Sequence, residues 1–171
     1  MDEMARSWEK EFPQLDISGL PPLVRLARLS VLMDAFQRSV LGPFELTSSD
    51  YDVLSTLRRA GRPYSLSPSQ LYGQLHRSSG GMTKILKRLD ESGLVGREPD
   101  PEDGRSIRVM LTARGVSLHD RVFRAFAAAS NRLLAKLDDR QKSEVDLALK
   151  LFLDSVEDWG DDGNESAPTR R

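Results

Sequence analysis

The sequence predicts a mainly α-helical protein with one small β-hairpin, and three observations lead to that fold class. Apolar residues recur at helical spacing through most of the 171-residue chain. The period changes to alternation only around residues 95–111, where turn-forming residues separate two short strands. The chain has no cysteine, so neither disulfides nor cysteine-ligated metals organise the fold.

The first part of the chain, residues 1–46, predicts two helices. A brief amphipathic helix around residues 4–11 is expected to end before Pro13. A longer helix has Pro22 near its first turn, where a missing N–H is harmless, and ends at Gly42. Its apolar residues follow helical spacing and therefore indicate one buried face.

Three further helices are marked by their first and last residues. The stretch "TSSDYDVLSTLRRAG" opens with hydroxyl caps and closes on Gly61, so it predicts a helix of about 12 residues. Ser67 and Gln70 form a capping box that starts a short helix. Ser78 or Ser79 can cap another helix, which ends at Gly93. Two short helices with a tight connection, the second one basic, form a helix-turn-helix pattern.

A hairpin and two long helices complete the chain. Alternating residues predict strands at Val95–Arg97 and Ile107–Leu111, joined by a long tip with two prolines and an Asp-Gly dipeptide. Thr112 can start a long helix, and a last helix follows it. Residues 159–171 are polar and are expected to be disordered.

The basic helix carries the chemistry of a nucleic-acid contact. The net charge is −1, but four bases and no acid lie between Arg77 and Arg88. A helix N-terminus attracts phosphate, hydroxyls can bond phosphates or base edges, and lysines supply charge. A solvated helix face with incidental lysines is the alternative. The pattern predicts a helix in the major groove of double-stranded DNA, with candidate contacts at Ser78, Ser79, Gly80, Gly81, Thr83, Lys84, Lys87 and Arg88.

The hairpin directly after this helix predicts a wing over the neighbouring minor groove. The negative potential of a narrow minor groove attracts an inserted guanidinium. Arg105 is the candidate for insertion, Asp103 would orient it, and Arg108 is a further candidate DNA contact of the wing. As an alternative, Asp103–Gly104 is simply a good turn dipeptide.

Composition argues against other classes of protein. The two histidines, His76 and His119, are far apart in sequence, and the chain has no nucleophile, phosphate-loop or metal-spaced motif. We therefore expect no enzyme, no metal and no cofactor. No apolar run is long enough to span a membrane and no secretion signal is visible, which predicts a cytoplasmic protein with no membrane partner.

The segment "SSGGMTKILKRLDESGLVGREPDPEDGRSIRVMLT" resembles the recognition helix and wing of MarR-family repressors, including the Asp-x-Arg tip and the closing Leu-Thr. The resemblance extends over nearly the whole chain. It implies a winged helix-turn-helix lobe at 47–115, flanked by dimerisation helices within 1–46 and 116–158. It also implies a homodimer whose two recognition helices lie about 34 Å apart on a palindromic operator.

Within the family, the chain is similar to the urate-responsive branch, which carries an extra N-terminal helix. The branch's effector-pocket residues match Trp8, Asp52 and Arg97. Where the branch has a further arginine this chain has Ile85, so an effector other than urate is expected, an aromatic or anionic small molecule. The alternatives are a hydrophobic anchor for Trp8, a helix-dipole acid for Asp52 and a phosphate contact for Arg97.

Two functions follow from these features. The first is a ligand-responsive transcriptional regulator, a repressor that the effector releases from DNA. The second is an effector-independent architectural DNA-binding protein of the same fold, which needs no pocket.

Overall fold

The computed structural model describes residues 2–75, 79–100 and 106–163, with the backbone alone for residues 2–5, 79–80 and 158–163. This part of the chain is mostly helical and has a small antiparallel sheet, which confirms the predicted fold class. The helices are α1 (Asp2–Glu11), α2 (Leu20–Leu41), α3 (Ser48–Arg59), α4 (Pro68–Leu75), α5 (Ser79–Glu91), α6 (Ala113–Leu133) and α7 (Asp139–Gly163). The strands are β1 (Ser65–Leu66), β2 (Val95–Pro99) and β3 (Ile107–Leu111), and a short 3-10 helix covers Gly42–Phe44.

The caps of α3 and α4 lie where the sequence predicts them. Thr47 Oγ1 accepts a hydrogen bond from the Asp50 N–H (3.2 Å), and the Asp50 carboxylate accepts one from the Thr47 N–H (2.9 Å). Ser67 and Gln70 form the same reciprocal pair at 3.2 and 3.0 Å. These bonds satisfy backbone donors that a helix start leaves unpaired and so fix where each helix begins.

The predicted hairpin is confirmed, and a third strand joins it. β2 and β3 pair antiparallel from Val95 opposite Leu111 to Pro99 opposite Ile107. β1 pairs with the other edge of β3, so the strand order is β1-β3-β2. The sequence did not predict β1, because a strand of two residues is too short to show alternation and exists only through its pairing with β3.

The two residues just before β2 pack tightly against the start of α6. The Thr112 hydroxyl caps α6 by accepting from the Gly115 N–H (3.0 Å) and donates to the Gly93 carbonyl (2.7 Å). Gly93 has a φ of 65°, a left-handed conformation that ends the preceding helix. A Cβ on Gly115 would lie 2.0 Å from the Leu94 carbonyl oxygen, so the start of α6 requires glycine at this position.

The chain divides into two compact units, Met1–Phe126 and Ala127–Arg171. The division falls within α6, whereas the sequence placed the boundary between residues 115 and 116. The reason is that the first half of α6 packs with the lobe, where His119 and Val122 are buried. The hydrophobic core of the first unit lies among α3, α4, α5 and the sheet, and its fully buried side chains include Val53, Leu54, Leu57, Leu71, Met82 and Leu89.

Apolar side chains on α2 and α7 are exposed in the single chain. On α7 they include Leu147 (58% exposed), Leu151 (62%) and Leu153 (55%). α7 continues to Gly163, past residue 158 where the sequence predicted its end. Extending an existing helix adds a backbone hydrogen bond for each residue fixed, so it can continue through residues of poor propensity. Residues 164–171 of the predicted disordered tail lie outside the described residues.

Across the described ranges, no helix combines the length and hydropathy needed to cross a membrane.

Candidate nucleic-acid interface and effector cleft

Helix α5 divides into an apolar and a polar face, as the sequence predicts. The buried face packs into the core and consists of Met82, Ile85, Leu86 and Leu89. The exposed face includes Gly81, Thr83, Lys84 and Lys87. Of the other predicted contacts, Ser79 and Gly80 lie in the first turn, where the backbone alone is described, and Ser78 lies outside the described residues.

Lys87 has a nearby acid on the same helix. Its Nζ lies 3.7 Å from Glu91 Oε1, and both side chains are largely exposed. Exposed pairs of this kind contribute about 0–1 kcal/mol, so Lys87 can exchange this partner for a phosphate.

Arg88 lies against α3, whereas the sequence predicted that it faces DNA. Its Nε and Nη2 donate to Asp50 Oδ1 at 3.1 and 2.5 Å, and Nη2 also lies 3.3 Å from Thr47 Oγ1. The Asp50 residue is 2% exposed. A buried carboxylate needs a cation or several donors to offset its lost hydration, and Arg88 supplies the cation. The guanidinium therefore ties α5 to the start of α3.

The predicted wing contacts are described in part. Asp103 and Arg105 lie outside the described residues. Arg108 does not point away from the protein: its guanidinium bonds Ser65 of β1 and Asp100 at the end of β2. The sequence could not show this, because both partners depend on the pairing of three strands.

A cleft of about 490 Å³ lies between α3 and α6. Of the three residues predicted to form the effector pocket, Asp52 lines this cleft. Trp8 instead stacks on Phe12 (5.7 Å between ring centroids), Arg97 is exposed on β2, and neither lines the cleft. Ile85 is packed in the core and is 8% exposed, so that position faces the core. The lining residues are Tyr51, Asp52, Ser55, Thr56, Arg58, Arg59, Leu75, His119, Asp120 and Phe123.

One wall of the cleft is aromatic. The rings of Tyr51 and His119 stack at 5.7 Å with 10° between their planes, and those of His119 and Phe123 stack at 6.0 Å and 15°. Tyr51 stacks in turn on Phe126 at 5.1 Å. Such offset stacks present ring faces and edges that favour another planar ring. No local sequence pattern indicates this wall, because its rings come from two helices far apart in the chain.

Other side chains that line the cleft form an ionic cluster. Arg58 Nε donates to Asp120 Oδ1 (3.0 Å) and Nη2 to Oδ2 (3.4 Å), while His119 Nδ1 lies 3.2 Å from Asp120 Oδ1. The Arg58 guanidinium, and then the bond with His119, hold the pKa of Asp120 below its ordinary value. Arg58 also lies over the Tyr64 ring, 4.5 Å from its centroid. It therefore connects α3, α6 and the residue preceding β1.

One buried hydroxyl of the cleft lacks a partner. Ser55 Oγ is inaccessible to solvent and makes no hydrogen bond within the described part of the chain. An unsatisfied buried polar group costs about 1–3 kcal/mol. Among the described residues, no group of three acids or histidines is arranged to hold a metal ion.

Comparison with known proteins identifies the family. The family model described as MarR family matches residues 46–107, which include the helix-turn-helix, strand β2 and the first residue of β3. The chain is 30% identical over 145 residues to the HTH-type transcriptional regulator PecS of Dickeya dadantii, covering 85% of this chain and 87% of PecS. This chain belongs to the MarR family. The resemblance inferred from the recognition helix and wing is confirmed.

Known MarR-family structures share the fold. A mutant MarR from Escherichia coli complexed with operator DNA matches with a TM-score of 0.68 and 26% identity, over 81% of this chain and 99% of that one. AbsC, a MarR family transcriptional regulator from Streptomyces coelicolor, matches with a TM-score of 0.72 and 23% identity, over 84% and 97% of the two chains. As a member of this family, the protein is a transcriptional regulator and not an enzyme.

Proposed function

We propose that this protein is a repressor that binds a palindromic operator as a homodimer in the cytoplasm and is released by a small aromatic or anionic effector. The observation that carries the DNA-binding part is the exposed face of α5, where Lys84 and Lys87 stand opposite a fully packed apolar face. A hairpin follows this helix directly, as a wing requires. The MarR structure complexed with operator DNA has the same fold, which supports the same use of both elements.

Within this proposal, Lys84 and Lys87 contact phosphates, and Thr83 contacts phosphate or a base edge. Arg88 has a structural role in this proposal. Because its guanidinium is bound to Asp50, it holds α5 at a fixed angle on α3 and does not contact DNA. Arg105 is proposed to enter the minor groove, as the sequence predicts.

Exposed apolar side chains on α2 and α7 support the homodimer. Leucines on α7 that are more than half exposed would be unfavourable in water over so long a helix. A second copy that covers these side chains would remove that area from water and space the two recognition helices for successive major grooves.

The cleft between α3 and α6 supports the effector. It offers stacked rings for a planar ligand and the guanidinium of Arg59 for an anionic group. Asp52 lies in the same lining and would select ligands that carry a hydrogen-bond donor. Arg58 lines the cleft and contacts both Asp120 and Tyr64, so a bound anion that draws Arg58 away would loosen α6 from the lobe.

A gel-shift assay on the DNA upstream of the protein's own gene tests the proposal. We expect a dimer to shift this DNA at low salt, and a hydroxyl-radical footprint to show two symmetric half-sites about one helical turn apart. A chain that leaves this DNA unshifted at low salt contradicts the DNA-binding part.

A screen of aromatic carboxylates and their neutral amides on the shifted complex tests the effector. We expect release by a carboxylate at a concentration that leaves an Arg59→Gln variant bound, with Lys84→Gln as a control that keeps its ligand response. The alternative, an architectural protein without an effector, is supported if no compound releases the DNA and the cleft variants behave as wild type.

A further inference from the structure

We propose that Arg108 is a positioning residue that fixes the base of the wing. The sequence predicted a DNA contact at this position. The contacts of the guanidinium point to another role, which goes beyond the proposed function and does not depend on the effector.

All three nitrogens of the guanidinium are engaged within the protein. Nε donates to Ser65 Oγ (3.1 Å), Nη2 donates to the Ser65 carbonyl (3.0 Å), and Nη1 donates to Asp100 Oδ2 (3.2 Å). The side chain of Arg108 is 25% exposed and that of Asp100 is 14% exposed, so the ion pair is screened less than a surface pair. These three bonds use three of the five N–H groups of the guanidinium and fix its plane against the sheet.

The contacts span all three strands of the sheet. Arg108 lies on the central strand β3, Ser65 lies on β1, and Asp100 follows the last residue of β2. The Asp100 N–H also donates to the Ser106 carbonyl (2.8 Å), so backbone and side chain both close the hairpin at this point. Because the wing tip continues from Asp100 and returns at Ser106, this closure sets the direction in which the tip leaves the sheet.

The planar shape of the guanidinium is needed for this role. Its N–H groups diverge in one plane and therefore bond Ser65 and Asp100 at fixed angles. The compact ammonium of a lysine cannot reproduce this geometry. A phosphate contact, in contrast, requires mainly a positive charge, which lysine keeps. Lysine therefore separates the two roles. Arg62 is the matched control, since it is an exposed arginine shortly before strand β1 of the same sheet.

The first experiment measures operator binding and footprints of full-length Arg108→Lys, Arg108→Ala, Asp100→Asn and Arg62→Lys. We expect Arg108→Lys to weaken binding about tenfold, as loss of one good DNA contact does. Hydroxyl-radical protection in the minor groove should be lost while methylation protection of guanines under α5 in the major groove remains. Asp100→Asn should act in the same direction, and Arg62→Lys should bind as wild type. Full binding by Arg108→Lys, or equal loss of both kinds of protection, would overturn the proposal.

A double-mutant cycle with Arg105 separates positioning from contact. If Arg108 acts through the wing tip, Arg105→Ala with Arg108→Lys should bind no more weakly than Arg105→Ala alone. Additive losses would identify Arg108 as an independent contact and overturn the proposal.

Hydrogen exchange gives a readout that does not require DNA. The Asp100 amide, which donates to the Ser106 carbonyl, should exchange about tenfold faster in Arg108→Lys than in wild type, while amides of α5 stay unchanged. Unchanged exchange at Asp100 contradicts the proposal even if the wild-type chain binds no operator, so its failure is distinct from failure of the proposed function. If Arg108→Ala does not fold, Arg108→Lys and Asp100→Asn still decide the question.

Discussion

At the scale of the residue, Gly115 shows how one missing Cβ lets a helix pack closely against the backbone just before β2. A Cβ there would lie 2.0 Å from the Leu94 carbonyl oxygen, a contact that only a backbone shift can relieve. We expect Gly115→Ala to lower the free energy of unfolding by about 1–3 kcal/mol, the usual cost of overpacking. Denaturant unfolding measures it.

Gly73 provides the matched control for this prediction. It lies inside helix α4, and a Cβ there would meet no atom of the described residues within 4 Å beyond the helix's own backbone. Gly73→Ala should therefore stabilise the protein by about 0.4–1 kcal/mol, because alanine loses less backbone entropy in a helix. Equal effects of the two substitutions would show that the space around Gly115 does not limit its packing.

Arg88 and Lys84 are neighbours on α5 with opposite expected roles. Arg88→Ala leaves the buried Asp50 carboxylate without its cation, so we expect the free energy of unfolding to fall by about 3 kcal/mol or somewhat less, since the Thr47 bonds remain. Lys84→Ala should leave stability within about 0.5 kcal/mol of wild type. It should instead reduce the salt dependence of operator binding by about one unit of slope.

Thermal unfolding and salt titrations of the two variants check this pair of predictions. If Arg88→Ala is as stable as wild type and reduces the salt dependence of operator binding, Arg88 contacts DNA as the sequence predicted.

At the scale of the element, one ion pair joins α3 to α6 beside the cleft. Asp120 has a lowered pKa because Arg58 and His119 bond its carboxylate. Its pKa in the folded chain is thus below the unfolded value of about 3.9. The stabilisation that this pair contributes is complete above that value and is lost as the pH falls through the folded pKa.

The pH dependence of unfolding tests this contribution. The difference in free energy of unfolding between wild type and Asp120→Asn should be largest near neutral pH and shrink below about pH 4. Arg58→Gln removes the main cause of the shift, so against this background the same Asp120→Asn difference should depend much less on pH. A difference that stays constant in both backgrounds would mean that the ion pair does not stabilise the fold.

At the scale of the whole molecule, the proposed dimer explains the apolar exposure of α7. Leu151→Glu places a charge where a second copy would pack, so we expect the protein to sediment as a monomer and to lose most operator affinity. Ser143→Glu adds the same charge on the side of the helix that carries Asp146, Lys150 and Asp154, and serves as the control. Sedimentation velocity at micromolar concentration checks both, and a dimeric Leu151→Glu protein would argue against α7 as the interface.

Local sequence signals sufficed for much of the fold. Capping residues such as Thr47 and Ser67 form hydrogen bonds within a few residues, so their helices could be read directly from the chain. The two faces of α5 and the pairing of β2 with β3 were also predictable, because helix and strand periodicities are local properties. These same features carried the family resemblance.

The sequence by itself thus determined which elements form and which face of α5 is polar. Only the tertiary structure decided what the charged side chains do: Arg88 bonds Asp50 across 38 positions of sequence, and Arg108 bonds Ser65 across 43. It also decided that the cleft is built from Tyr51 and His119, while Trp8 lies elsewhere. The physical reason is that a long cationic side chain finds its partner through the packing of distant elements, and no local pattern records that partner.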